Sequence, residues 1–109
     1  MPDFQWDTWG YLVAWEFQVR AGQESQFEKA YGPDGAWARL FRQGKGYLGT
    51  QLARNSDHPR RYVTLDFWDS PDSYTAFKQQ HSAEYKAMDE GCEAFTESER
   101  ELATLTRVT

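Results

Sequence analysis

The stretch Tyr62-Val63-Thr64-Leu65-Asp66-Phe67-Trp68-Asp69-Ser70-Pro71-Asp72 decides the fold. Its first seven residues are rich in β-branched and aromatic side chains, which suit a pleated, half-buried strand. Ser70-Pro71-Asp72 then supplies an N-cap, a proline at the first helical position and an acid in the first turn. A strand therefore runs straight into a helix. Downstream, Tyr74, Phe77, His81, Tyr85, Met88, Cys92 and Phe95 recur at intervals of three and four, the period of one helical face. The spacing predicts one continuous helix, with Gly91 near its end. Thr96-x-x-Glu99 reads as a capping box for a short extra turn, and Leu102 to Val108 as a last strand.

Upstream, Asn55 to Pro59 reads as a turn, so Tyr47 to Ala53 should pair with Tyr62 to Trp68 as an antiparallel hairpin. Phe27, Ala30 and Tyr31 have helical spacing, and Trp37, Leu40 and Phe41 repeat it. Gly32-Pro33-Asp34-Gly35 separates the two pieces, since proline lacks the N–H a continuous helix needs. Asp34 is placed to cap the second piece, and the break should bend the helix and bring Trp37 over the sheet as part of a cavity wall. Tyr11 to Val19 alternates and reads as the first strand. Residues 1–10 form an arm carrying Phe4, Trp6 and Trp9, expected to pack on the domain or on a second subunit.

The order β-α-β-β-α-β is that of an α+β, ferredoxin-like fold: residues 11–109 as one domain, an antiparallel four-stranded sheet with its helices on one face. The other face would carry Tyr47, Tyr62, Thr64 and Trp68, or, in the opposite register, Leu48, Val63, Leu65 and Phe67. Both sets are too apolar for water, which predicts a homodimer through the sheet face.

Composition excludes several classes. Twelve Lys and Arg against 17 Asp and Glu give a net charge of −5, the wrong sign for a nucleic-acid footprint. Apolar runs span only a few residues, whereas a membrane-crossing helix needs about 20, so no membrane span is expected. Met1-Pro2-Asp3 opens no basic and apolar leader, and Cys92 is the single thiol, which together predict a cytoplasmic protein. His58 and His81 have no second soft ligand at metal-binding spacing, so no metal site is expected. Gly-rich phosphate loops are missing.

Several segments resemble the antibiotic biosynthesis monooxygenase family, small dimeric α/β-barrel proteins. They are Trp15-Glu16-Phe17-Gln18-Val19-Arg20-Ala21-Gly22 with Phe27-Glu28, Gly35-Ala36-Trp37-Ala38-Arg39-Leu40-Phe41, Gly46-Tyr47-Leu48-Gly49-Thr50, and Tyr62 to Ser70. The resemblance runs from about Tyr11 to Phe95. It implies a cavity between sheet and helices in which cofactor-free oxygenases bind a polycyclic phenol or anthrone. A base there removes a proton, and the carbanion itself reduces O2, with no cofactor. Such a site wants stacking aromatics, a base, a donor for the enolate oxygen and exclusion of water.

Trp15, Trp37, Tyr47, Trp68, Phe77 and Tyr85 are the candidate substrate-binding aromatics, though a small domain also needs such side chains for its core. His81, whose ring titrates nearest neutrality, and Asp66, between Leu65 and Phe67, are the candidate bases, with Glu16 a third. His81 is equally readable as a core histidine, Asp66 and Glu16 as exposed or interface residues. The haem-degrading branch of the resemblance relies on an asparagine of the first strand and on a tryptophan and histidine of the last helix. Here the single asparagine is Asn55, Phe77 stands near the tryptophan position, and His81 precedes the ligand position near Ala87-Met88. Two function classes remain: a cofactor-independent monooxygenase acting on an aromatic or quinone-like molecule with O2, and a non-catalytic dimeric binding or scaffold domain.

Overall fold

Alternation along β1 (Tyr11–Val19) sends Val13, Phe17 and Val19 to one face, where all three are buried. This is one of the two inner strands of the sheet in the computed structural model, which describes residues 7–108. The hairpin of β2 (Tyr47–Arg54) and β3 (Arg61–Trp68) joins it on one side, and β4 (Thr96–Thr106) on the other. The sheet is antiparallel throughout and open, in the order β2-β3-β1-β4.

The helices lie on one face, as expected. Rings from α1 (Glu24–Tyr31) and α2 (Ala36–Phe41) pack on the sheet: Phe27 on Tyr62 at 4.9 Å, and Phe41 on Trp68 at 5.8 Å. These contacts settle the register that the sequence leaves open. Tyr62, Thr64, Asp66 and Trp68 face the helices, and Val63, Leu65 and Phe67 face away. Burial of side chains such as Phe27, Trp68 and Phe77 stabilises the domain by about 1.5–3 kcal/mol each. Trp9 packs edge-to-face on Phe67 at 5.7 Å, so the end of the arm touches the outer face. Phe4 and Trp6 lie outside the described residues.

Four local expectations need correction. The break between α1 and α2 is present, but Asp34 does not cap α2. Gly35 holds that position, because a Cβ there would come within 2.4 Å of the Lys29 carbonyl. Asp34 instead meets Arg42 at 3.3 Å. The last helix is not continuous: α3 (Pro71–Gln80), capped by the Ser70 side chain as expected, stops at His81, and α4 (Ser82–Cys92) follows. The His81 ring stacks on Phe77 at 5.1 Å, and its Nδ1 meets Glu84 at 3.0 Å in the first turn of α4. Helical spacing runs across the break because both helices bury the same face. Thr96 caps no extra turn. A 3-10 turn at Glu93–Phe95 precedes it, and Thr96 pairs with Val19 to open β4 well before Leu102. The open edge of β1 satisfies those backbone groups in a ladder, which a solitary turn cannot.

Candidate active site

Of the side chains that β1 and β3 lay beneath the helices, Val13, Trp15, Phe17, Thr64 and Asp66 floor a cavity of about 250 Å³. Thr50 of β2 completes the floor. Tyr31, Trp37 and Phe41 form one wall, and Tyr74 and Tyr85 the other. Trp37 links these walls, lying 6.0 Å from Tyr31 and edge-on to Tyr85 at 5.1 Å. The rim is charged, with Lys78, Asp89 and Glu99. The Lys78 ammonium sits 5.5 Å from the Tyr74 ring centre and 4.8 Å from that of Tyr85, a cation–π arrangement.

Asp66 is the one buried carboxylate among the described residues, 8% exposed. It stands directly across from Val13 on one side and Thr50 on the other. Its Oδ1 accepts a hydrogen bond from the Thr50 hydroxyl at 2.6 Å. Burial pushes its carboxyl from the ordinary 3.8 up to about 7, and the Thr50 bond pulls the other way with smaller effect. An acid poised there is ionised in part at neutral pH and can accept or return a proton. Burial also raises the phenols around it, Tyr47 and Tyr85 to about 12 and Tyr31 and Tyr74 further, so all stay protonated donors.

The cavity brings together four of the residues singled out from sequence: Trp15, Trp37, Asp66 and Tyr85. Trp68 and Phe77 do not line it; they are core residues, 0% and 1% exposed. Tyr47 lies behind the wall, its hydroxyl bonded to Thr50 at 2.6 Å. His81 stands outside the cavity at the α3–α4 joint, and Glu16 faces away from the helices to meet Arg100 at 3.1 Å. Sequence reasoning passed over Thr50, Tyr74 and Lys78. Tyr74 carried a readable signal, since it opens the same helical stripe as Tyr85. Among the described residues no three His, Cys, Asp or Glu side chains gather as metal ligands, and no helix is long and apolar enough to cross a membrane.

The site is thus an aromatic cavity with one buried carboxyl, under two split helices on the open sheet of a small α+β protein. The chain belongs to the antibiotic biosynthesis monooxygenase family, whose model matches residues 10–91. Among solved structures, it is similar to a Bordetella bronchiseptica protein assigned to antibiotic biosynthesis monooxygenases. That match has 27% identity, covers 92% of this chain and 99% of that one, and has a TM-score of 0.68. SnoaB, a cofactor-independent oxygenase from Streptomyces nogalater, is 18% identical over 93% of this chain and 95% of its own, with a TM-score of 0.68. The ActVA-Orf6 monooxygenase of Streptomyces coelicolor, solved with nanaomycin D, is 19% identical over 94% and 91%, with a TM-score of 0.67. No curated protein matches the sequence.

Proposed function

We propose that this protein is a cofactor-independent monooxygenase that oxidises an aromatic, quinone-forming small molecule, with Asp66 as its general base. The observation that carries the reading is a buried carboxyl, raised to about 7, in the floor of an aromatic cavity. Two of the similar structures add support, one a cofactor-independent oxygenase and one a monooxygenase with nanaomycin D bound.

The flat rings of Trp15, Trp37 and Tyr85 offer stacking surface for a polycyclic substrate. Asp66 takes a proton from a CH2 group made acidic by a neighbouring phenol or ketone. The carbanion transfers its electrons to O2 and forms a C–O bond, leaving a peroxide that regains the proton from Asp66. The hydroperoxide then loses its outer oxygen as water together with the second C–H proton, and the carbon becomes a carbonyl. The balance is CH2 plus O2 to C=O plus H2O, and no electrons come from elsewhere.

The working unit in this reading is a cytoplasmic homodimer. Leu12 and Leu105 are opposed across β1 and β4, and Leu105, 48% exposed, joins Val63 and Leu65 on an apolar outer face that a second copy would cover. The single thiol Cys92 suits a reducing compartment. Oxygen uptake over a panel of anthrones, quinols and flavonoids tests the activity. Uptake with a hydroxyanthrone and formation of its quinone are expected. Tight binding across the panel with no uptake would make the protein a binder of such molecules instead.

A further inference from the structure

Tyr47 and Thr50 are three residues apart, so in a regular strand their side chains would point to opposite faces. Here they meet. The β2–β3 register shifts between Tyr47 and Gly49, a bulge that leaves Tyr47 opposite Trp68 and Thr50 opposite Asp66, all on the helix face. Bulges of this kind re-aim a side chain. The result is a hydroxyl chain: Tyr47 to Thr50 at 2.6 Å, and Thr50 to Asp66 Oδ1 at 2.6 Å.

A threonine hydroxyl has one proton and two lone pairs. Because Thr50 spends its proton on Asp66, Tyr47 must be the donor in the outer link. From this geometry we infer that Tyr47 is a positioning residue. It occupies an acceptor site of Thr50 from behind the cavity wall and so commits the Thr50 proton to Asp66 Oδ1. Oδ2, which has no protein partner among the described residues, is left for substrate. The inference rests on Asp66 acting as the base, and it moves Tyr47 from ligand stacking to support of that base.

The Tyr47 phenol, raised to about 12 by burial, keeps its proton throughout the working pH range. Hydrogen bonds in series polarise one another, so the outer link strengthens the inner one. The other ionisable groups facing Asp66 are Tyr74 from α3 and Tyr85 from α4, both neutral there; the facing residues of β1, Val13 and Trp15, do not titrate. Lys78, Asp89 and Glu99 line the same cavity at its rim.

The test is the NMR titration of the Asp66 side-chain carbon, which needs no substrate. Thr50→Val should move its midpoint up by about one pH unit, the equivalent of one hydrogen bond. Tyr47→Phe should move it up by a few tenths, and the double variant should match Thr50→Val. Thr50→Ser, which keeps the hydroxyl, should restore the original midpoint and serves as the reference if valine is not tolerated. An unmoved midpoint in Tyr47→Phe, or shifts that add in the double variant, would overturn the inference. Loss of activity plays no part in this readout. A moved midpoint in a protein whose Asp66→Asn variant stays fully active would uphold the positioning role and refute the base.

Discussion

Thr50 and Asp66 face each other across β2 and β3, and the Thr50 hydroxyl holds the Asp66 carboxylate at 2.6 Å beneath an aromatic cavity. That bond only partly offsets the cost of burying the charge, and the remainder should be visible in how stability depends on pH.

The folded state holds the Asp66 proton up to about pH 7, while the unfolded chain releases it near 3.8. Between those values the folded state binds more protons, so this group's stabilising effect is complete below 3.8, is lost progressively as pH rises to about 7, and is level above that. At about 1.4 kcal/mol per pH unit the loss is on the order of 4 kcal/mol. Calorimetry from pH 5 to pH 8 should show the melting temperature of the native protein falling relative to Asp66→Asn, which cannot ionise. Parallel profiles would contradict this.

His81→Ala should leave oxygen uptake within about threefold of the parent and cost about 1 kcal/mol or less. Its ring lies outside the cavity, and its partner Glu84 is half exposed, where such a pair contributes little. A hundredfold loss of turnover with unchanged stability would return the role of base to His81.

Gly35→Ala should destabilise by about 1–3 kcal/mol, because the added Cβ meets the Lys29 and Ala30 carbonyls at 2.4 and 2.5 Å. Urea unfolding measures it, and an unchanged midpoint would show that α1 and α2 can separate freely.

Light scattering at micromolar concentration should give twice the monomer mass, and Leu105→Glu, in the exposed apolar face, should reduce it to one. A native monomer would remove the dimer from the account.

The order of elements was legible because it rests on local signals: alternation in Tyr11–Val19, the Ser70-Pro71 start of α3, and the proline break before α2. Which face of β3 looks inward was not, because both of its faces are apolar and only packing of Phe27 and Phe41 decides. Among the candidate site residues, Asp66 stood out as an acid between two large apolar neighbours. Thr50 and the true place of Tyr47 were hidden by the β2 bulge, a one-residue register shift for which Gly49, a glycine inside the strand, was the one local signal in Gly46-Tyr47-Leu48-Gly49-Thr50. His81 misled because its neighbours kept helical spacing across a joint where the helix stops.

The most direct measurement is the pH dependence of kcat/KM for oxygen uptake with 1,8-dihydroxyanthrone, on the native protein and on Asp66→Asn. The account predicts activity rising to a plateau with a midpoint near 7, and a loss of about 10²-fold or more in the variant, the usual size of a general-base contribution. A native profile flat from pH 5 to pH 9, or an Asp66→Asn enzyme within a few-fold of the parent, would contradict it.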